Sequence, residues 1–331
     1  MTVEPSRRAA VLGTGTMGPL IALAFAEVGY GVTLWGRSGE RTDRALDAVA
    51  EGAAFLESAG LGGPTAEASA RVERAAGLED VAGAGVVVEA IREDLDVKRE
   101  VFARLDDVCD RSALLATTTS GLRVSDIADG MPHPERVVAM HFWNPPHLMP
   151  LVEICGGEDT SPETLERARE LAVELGKLPV VLRHEVLGFL GTRMQQAVVR
   201  EAVALLEAGV ASAADIDLAV RTSFGIRFPV VGPLESADLT GLDVIEAIHR
   251  YLLPDLDRSI APQHSLTERV AEGNLGVKSG VGFNDWQIRD LGETIRRRDD
   301  ELVRRLRQLR SDGVLEPPKL ISPDRARSTP S

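Results

Sequence analysis

The sequence predicts an α/β protein in which a doubly wound parallel sheet is followed by an all-α C-terminal domain. Two observations support this fold class. Short apolar strand patterns alternate with helical patterns over the first half of the chain, as in parallel sheets covered by helices. Beyond Gly188 apolar residues recur at helical spacing, and no convincing strand pattern follows. We therefore predict a sheet domain over residues 1–184, a helical domain over 185–285, and a charged helix with a disordered tail over 286–331.

The predicted elements of the sheet domain follow one another closely. RRAAVLG is an apolar strand, and the buried helix PLIALAFAEVGY follows it and ends near Gly29. A helix over residues 161–176 has Ser161 as its N-cap and Gly176 as its stop. Further strands are predicted at GVTLW, GVVVEAI, SALLATTTS, RVVAMHF, PLVEIC and KLPVVLR, with a helix at VKREVFARLDDVC.

The second half of the chain carries helical patterns of two kinds. MQQAVVREAVALLEAG and LTGLDVIEAIHRYLLPDL are amphipathic, and Ser212 begins a further helix that runs to Arg221. ETIRRRDDELVRRLRQLR instead carries interleaved opposite charges. We interpret it as a solvated helix rather than a nucleic-acid-binding one, followed by the disordered tail SPDRARSTPS.

Composition restricts the class of function. The 331 residues include 37 Lys and Arg against 51 Asp and Glu, a formal charge of -14 that argues against nucleic acid as a partner. The two cysteines, Cys109 and Cys155, are too few for a disulfide framework and are interpreted as packing residues. The chain has no apolar segment long enough to cross a bilayer, so we expect no membrane association and a cytoplasmic location. No metal site is predicted.

A glycine-rich turn predicts a dinucleotide site. Gly13, Gly15 and Gly18 form G-x-G-x-x-G where the first strand becomes a helix, and Thr16 and Met17 lie within the same turn. In a Rossmann-type domain this turn is tight, the backbone approaches the pyrophosphate, and the helix N-terminus faces the anion. The plainer interpretation is an ordinary strand-to-helix turn.

The end of the second strand bears on which dinucleotide binds. An acidic residue there normally accepts hydrogen bonds from the adenosine ribose and repels a 2′-phosphate, but this chain has Gly36. Arg37, Ser38 and Arg41 follow and offer cationic and hydroxyl donors. We therefore favour NADP, with NAD as the alternative if these arginines are only surface charge.

The segment AMHFWNPPHLMPLVEI suggests a proton-transfer site. Two strands joined by the Asn144-Pro145-Pro146 turn can bring His141 and Glu153 within hydrogen-bonding reach. An imidazole oriented by a carboxylate is a common general base near neutral pH. A histidine at a strand end can equally be structural.

Together these motifs resemble the 3-hydroxyacyl-CoA dehydrogenase family, including its lambda-crystallin and L-gulonate 3-dehydrogenase relatives. The resemblance extends over residues 8 to 285. Its markers are VLGTGTMG, VVVEAIREDLDVK, ATTTSGL, MHFWNPPHLMPLVEI, GFLGTR and GVKSGVGF. It implies hydride transfer between a nicotinamide ring and a hydroxyl or keto carbon beta to a carboxyl or thioester carbonyl.

The resemblance also implies roles for individual residues. His141 corresponds to the catalytic base, Glu153 to the acid that orients it, and Ser120 to a hydroxyl that contacts the reacting oxygen. Asn144 is placed to shape the substrate pocket. Glu89 and Lys98 match positions on the cofactor side, although a solvated ion pair is an equally simple interpretation.

The departures from the family pattern concern the pocket. Thr192 and Thr118 stand where the family usually has asparagine, Gly121 replaces a second serine, and Trp143 replaces phenylalanine. We assign Thr192 and Trp143, with Asn144, to the substrate and Thr118 to the cofactor.

These changes suggest retained chemistry on a non-standard substrate. A short 3-hydroxyacyl thioester leads, with a free hydroxy acid such as L-gulonate or a carrier-bound acyl group as alternatives. A non-catalytic, crystallin-like nucleotide-binding protein is an alternative of another class. We also expect a homodimer formed through the helical domain.

Overall fold

A computed structural model describes residues 7–317 of the chain, so the predicted tail SPDRARSTPS lies outside the described residues. The chain divides into two compact units: one contains the residues up to Leu190 and from Arg298 on, and the other is Gly191–Arg297. The strands are β1 (Arg8–Leu12), β2 (Gly31–Trp35), β3 (Val72–Arg74), β4 (Val86–Glu89), β5 (Leu114–Thr117), β6 (Val137–Phe142), β7 (Leu151–Gly156) and β8 (Leu178–Val181). The helices of the sheet region are α1 (Gly18–Glu27), α2 (Gly39–Ser58), α3 (Thr65–Ala70), α4 (Leu95–Val108), α5 (Val124–Ala128) and α6 (Pro162–Glu174). The helices that follow are α7 (Leu190–Glu207), α8 (Ala213–Thr222), α9 (Phe224–Arg227), α10 (Pro233–Thr240), α11 (Leu242–Leu252), α12 (His264–Ala271) and α13 (Leu291–Ser311).

The strands form one sheet in the order β3-β2-β1-β4-β5-β6-β7-β8. β1 to β6 are parallel, β7 pairs antiparallel with β6, and β8 runs parallel to β7. The predicted doubly wound sheet is confirmed, with a reversed pair of strands at one edge. Because the carboxyl ends of β1, β4, β5 and β6 share one edge, residues at those strand ends are brought together.

Helices cover both faces of the sheet. Phe25 and Leu23 of α1 belong to the core on one face, and Phe102 and Leu105 of α4 belong to the core on the other. β4 and β5 are buried at every residue, as expected for strands covered on both sides. The apolar runs that predicted these strands therefore reflect burial on two faces.

Between β2 and β4 the structure contains α2, α3 and β3, none of which the sequence analysis predicts. α2 buries mainly small residues, including Ala45, Val49 and Ala53, so its apolar stripe is faint in the sequence. β3 has three residues, of which Glu73 and Arg74 are exposed at the edge of the sheet. A strand this short and charged carries too little periodicity to be recognised.

The charged helix α13 corrects the interpretation of residues 286–331. Val303 and Leu306 are buried in the core that also contains α1 and α2, and Arg307 donates a hydrogen bond of 2.6 Å to the carbonyl oxygen of Ala59. The prediction of a solvated helix is therefore wrong for the second half of α13. An i,i+3 pair of apolar residues among many arginines is enough to seat a helix against a core.

The unit Gly191–Arg297 is helical, as predicted for this part of the chain. Ser212 caps α8 by accepting a hydrogen bond of 3.2 Å from the Asp215 N–H. The helix predicted at LTGLDVIEAIHRYLLPDL is divided at Gly241, whose φ of +101° lies outside helical values. Within the described part of the chain, none of the helices combines the length and apolar composition needed to cross a bilayer.

Candidate active site

The glycines of the first turn lack side chains for different reasons. A Cβ atom at Gly13, where φ is +126°, would lie 2.3 Å from the carbonyl oxygen of Ala90, and one at Gly18 would lie 1.9 Å from that of Gly13. At Gly15 a Cβ atom would meet no atom of the described residues within 4 Å. Gly13 and Gly18 therefore have no space for a side chain, whereas the space beside Gly15 is empty. This fits the approach of a dinucleotide pyrophosphate to the backbone.

The other predicted cofactor residues lie around this turn. Thr16 is exposed within it, and Met17 precedes α1 as its N-cap residue. At the carboxyl end of β2, Arg37 and Arg41 are exposed, and Ser38 is the N-cap residue of α2. Their assignment to the cofactor stays a prediction.

His141 and Glu153 face each other across two strands. They are direct partners in the antiparallel register of β6 and β7, so their side chains leave the same face of the sheet. His141 Nδ1 lies 2.9 Å from Glu153 Oε2, and both side chains are buried. Strand pairing thus holds the imidazole and the carboxylate at hydrogen-bonding distance.

Neighbouring groups restrain this pair further. The indole Nε1 of Trp143 donates to Glu153 Oε2 at 3.1 Å, and the backbone N–H of Leu190 donates to Glu153 Oε1 at 2.9 Å. The Phe189 ring stacks on the His141 imidazole at 5.1 Å with an interplanar angle of 11°. Trp143, which we assigned to the substrate, therefore also supports the carboxylate through its N–H group.

The second ring nitrogen of His141 faces Ser120. Its Nε2 lies 3.2 Å from Ser120 Oγ, and Ser120 is exposed. The hydroxyl of Thr118, one strand away, accepts a hydrogen bond of 3.3 Å from the Phe142 N–H. Asn144 is exposed in the turn after β6. The structure thus joins His141, Glu153 and Ser120 in one hydrogen-bonded row.

Thr192 lies in the first turn of α7 and belongs to the unit Gly191–Arg297. Its assignment to the substrate stays a prediction. Gly121, the other departure beside the serine, has no atom of the described residues within 4 Å of a Cβ built on it, so space for a side chain exists there.

Glu89 and Lys98 form a buried ion pair. Lys98 Nζ lies 2.7 Å and 2.8 Å from the two carboxylate oxygens of Glu89, and the side chains are 1% and 0% exposed. Glu89 also accepts hydrogen bonds of 2.7 Å from the Thr117 hydroxyl and from the Ile91 N–H. The alternative of a solvated pair is therefore wrong, because Glu89 at the end of β4 and Lys98 on α4 meet in the protein interior.

Glu93 is a site residue that the sequence analysis does not identify. Its Oε1 accepts hydrogen bonds from the Thr119 hydroxyl, from the Ser120 N–H at 3.1 Å and from the Gly121 N–H at 3.2 Å. Burial opposes ionisation, but the hydrogen bond from Thr119 and the charge of Lys98 outweigh it and lower the pKa of Glu93. The carboxylate therefore holds the loop that presents Ser120. Glu93 is one of four acids in VVVEAIREDLDVK, and nothing in that run distinguishes it from the others.

We expect Glu93→Ala to lower kcat by about 10-fold to 100-fold, because the Ser120 loop loses its anchor and small misplacements are costly in catalysis. Glu93→Gln keeps a carbonyl oxygen for the loop N–H groups and should retain most of the activity. Steady-state kinetics of both variants, with the exposed neighbour Glu100→Ala as control, test this role. Equal losses in the Ala and Gln variants would contradict it.

Neither cysteine takes part in this site. Cys109 and Cys155 are free and buried, and burial raises the pKa of each thiol to about 11. Both are therefore protonated and unreactive at neutral pH. Among residues 7–317, no group of three His, Cys, Asp or Glu side chains is arranged to hold a metal ion.

Comparison with known proteins places this site in a family. Residues 8–186 match the profile of the 3-hydroxyacyl-CoA dehydrogenase NAD binding domain, and residues 188–286 match that of the C-terminal domain of the same family. The 3-hydroxybutyryl-CoA dehydrogenase of Clostridioides difficile is 35% identical over 280 residues, covering 84% of this chain and 98% of the relative.

A second relative acts on a different kind of molecule. The 5-formyl-3-hydroxy-2-methylpyridine 4-carboxylate 5-dehydrogenase of Mesorhizobium japonicum is 33% identical over 280 residues, which cover 84% of this chain and 90% of that protein. A solved structure of an enzyme with this activity, described as an NAD+ dependent dismutase, superposes with a TM-score of 0.86 at 31% identity. The superposition covers 92% of this chain and 98% of that one.

The matched family domains span both units of the chain, and the first of them is an NAD binding domain. The chain therefore belongs to the 3-hydroxyacyl-CoA dehydrogenase family and is an NAD(P)-dependent oxidoreductase of that type.

Proposed function

We propose that the protein transfers hydride between a nicotinamide dinucleotide and a 3-hydroxy or 3-oxo acyl substrate, with His141 as general acid and base. The observation that carries this proposal is the hydrogen-bonded row of Glu153, His141 and Ser120. His141 Nδ1 lies 2.9 Å from Glu153 Oε2, and His141 Nε2 lies 3.2 Å from Ser120 Oγ. The row gives the imidazole an anionic partner on one side and an open polar position on the other. A non-catalytic nucleotide-binding protein has no chemical need for this arrangement.

The geometry suggests how the proton moves. Because Nδ1 faces a carboxylate, Nδ1 carries the ring proton and its N–H donates a hydrogen bond to Glu153, which leaves the Nε2 lone pair directed towards Ser120. In oxidation Nε2 takes the proton of the substrate hydroxyl, and in reduction it returns a proton to the forming alcohol. Ser120 Oγ contacts the same oxygen and orients it. The nicotinamide, when bound, supplies or accepts the hydride.

The cofactor we propose is NADP, with NAD as the alternative. Gly36 supplies no carboxylate for the ribose hydroxyls, and the exposed Arg37 and Arg41 lie in the following turn. Gly13, Gly15 and Gly18 serve the pyrophosphate in either case. Thr118 after β5, Glu89 at the end of β4 and Lys98 on α4 are proposed to support the cofactor side of the site.

For the substrate, a short 3-hydroxyacyl thioester remains the lead. His141, Glu153 and Ser120 match the family pattern, and a 3-hydroxybutyryl-CoA dehydrogenase is among the similar proteins. A free carboxylic acid is the second candidate, favoured by similarity to a pyridine carboxylate dehydrogenase over nearly the whole of both chains. Thr192, at a position where the family usually has asparagine, changes the hydrogen bonds available to a substrate.

A matrix of cofactors and substrates tests the proposal. Initial rates should be measured for acetoacetyl-CoA and for L-gulonate, each with NADP and NAD in the appropriate redox state. We expect acetoacetyl-CoA with NADPH to give the highest kcat/KM. Turnover of L-gulonate without turnover of any thioester would reject the lead in favour of the free-acid candidate. No turnover of either class would contradict the proposed activity.

We propose that the helical unit forms a homodimer. Residues 191–297 are all described by the structure, and Val203 is the one buried apolar side chain among them. Leu234 and Leu239, in contrast, are 83% and 75% exposed. Exposed apolar surface of this extent is typical of a protein interface. A solution mass of twice 35.5 kDa is expected, and a monomer at micromolar concentration would contradict the proposal.

The cellular location we propose is the cytoplasm, because its reducing conditions suit the two free thiols.

A further inference from the structure

The position that usually carries the ribose-binding acid is sterically filled in this protein. A Cβ atom at Gly36 would lie 2.5 Å from Thr14 Cγ2, 3.1 Å from Thr14 Oγ1 and 3.0 Å from Thr42 Oγ1. The last of these atoms is held in place, because the Thr42 hydroxyl donates a hydrogen bond of 2.9 Å to the Ser38 carbonyl oxygen. Gly36 is therefore surrounded by threonine side chains, and an acid cannot be added without moving at least one of them.

Thr14 occupies this space from the glycine-rich turn itself. It is the residue between Gly13 and Gly15, and the Gly13 N–H donates a hydrogen bond of 2.8 Å to the Trp35 carbonyl oxygen, which ties the turn to the end of β2. A β-branched side chain has few χ1 alternatives. An aspartate at position 36 would therefore have two effects. It would change the charge beside the ribose, and it would collide with Thr14 in the turn proposed to bind the pyrophosphate.

Arg74 brings a further cation to the same place. It ends β3, where it pairs in register with Leu34 of β2, and its Nη2 lies 2.5 Å from where a Cβ atom of Gly39 would stand. The guanidinium therefore lies against the first residue of α2, at the positive end of that helix. Its Nη1 lies 3.1 Å from Asp43 Oδ1, in an exposed ion pair of the kind that contributes little stability.

We propose that Thr14, Gly36 and Arg74 together determine cofactor choice: Thr14 and Gly36 exclude the ribose-binding carboxylate, and Arg74 binds the 2′-phosphate. This inference rests on the proposed preference for NADP. The exposed pair with Asp43 contributes little stability, so Arg74 can exchange that carboxylate for a phosphate dianion, which complements both the guanidinium and the helix N-terminus. Other charged side chains lie near the start of α2. Glu40 pairs with Arg44 at 3.7 Å, and Arg37 and Arg41 are exposed.

Direct binding of NADPH and NADH, followed by the fluorescence of the reduced nicotinamide, tests the inference without relying on turnover. We expect the unmodified protein to bind NADPH more tightly than NADH. Arg74→Ala should weaken NADPH by about 10-fold or more, as for the loss of a hydrogen bond to a charged group, and leave NADH within about 2-fold. Arg44→Ala removes an equal charge from the neighbouring helix α2 and should change the affinity for neither cofactor.

The coupling of Thr14 with Gly36 requires a double variant. Gly36→Asp alone should weaken both cofactors, because the new side chain collides with Thr14. Thr14→Ala combined with Gly36→Asp should restore NADH binding while NADPH stays weaker by about 100-fold, because a carboxylate at that position repels the 2′-phosphate. The two substitutions are therefore expected to be non-additive.

The outcomes separate the inference from the proposal beneath it. Tighter binding of NADH than NADPH by the unmodified protein would refute the proposed cofactor. The unmodified protein could prefer NADPH while Gly36→Asp alone binds NADH as tightly as the unmodified protein does. That result would refute the role of Thr14. If NADPH is preferred but Arg74→Ala weakens both cofactors equally, Arg74 does not read the 2′-phosphate.

Discussion

His141→Ala is expected to lower kcat by about 10²-fold to 10⁴-fold, the usual contribution of a positioned general acid or base. The imidazole lies between Glu153 Oε2 and Ser120 Oγ, and alanine leaves no group at that place to exchange a proton with the substrate oxygen. The glycine turn at Gly13 is a separate part of the fold, so cofactor affinity should change little. Rapid mixing would measure the rate of hydride transfer, and titration with NADPH would measure the affinity for the cofactor.

His133→Ala is a matched control for this variant. His133 also faces a carboxylate, with Nδ1 3.5 Å from Glu135, but it is partly exposed and belongs to another surface. Its replacement should leave kcat unchanged. Glu153→Gln should lower kcat as well, because an amide cannot offset the positive imidazolium. Normal turnover in both His141→Ala and Glu153→Gln would remove the proposed base from the mechanism.

Lys98→Met is expected to destabilise the protein by about 3–5 kcal/mol, the usual cost of removing one partner from a buried ion pair. Methionine has a similar length, so the main change is the loss of the ammonium group, which lies 2.7 Å from the buried Glu89 carboxylate and 3.3 Å from that of Glu93. That carboxylate is 0% exposed and would retain only the Thr117 and Ile91 hydrogen bonds. Urea-induced unfolding, followed by circular dichroism, measures the free energy of unfolding.

Two further variants make this prediction specific. Arg44→Met breaks an exposed pair on α2 and should cost no more than about 1 kcal/mol. Lys98→Met combined with Glu89→Gln should be less destabilised than Lys98→Met alone, because no uncompensated charge stays buried. A double variant as unstable as the sum of both single variants would show that charge burial is not the cause.

Most of the sheet could be predicted because its strands are apolar on both faces. β1, β4, β5 and β6 stand out as short apolar runs separated by glycines and polar turns, and Ser161 and Gly176 mark the ends of α6 through capping. The pairing of His141 with Glu153 was also foreseeable, since the Asn144-Pro145-Pro146 break lies between two apolar runs that can pair as adjacent strands. These features depend on neighbours in the chain.

Other features depend on contacts between distant segments and could not be foreseen. α13 binds the first core through Val303 and Leu306, although its composition is that of a solvated helix. Glu93 reaches the Ser120 loop from a different strand end, and no local pattern marks it as the residue that does so. The charge state of such groups follows from the neighbours that folding supplies.

The sequence by itself determined the apolar strands β1, β2, β4, β5 and β6, the glycine-rich turn after β1, and the candidate pair His141 and Glu153, because each arises from local periodicity or turn chemistry. Only the tertiary structure decided that Glu89 and Lys98 are buried together, that Glu93 anchors Ser120, and that Thr14 fills the space beside Gly36. The physical reason is that burial and steric exclusion are set by residues far apart in the chain, and they become defined once the sheet has assembled.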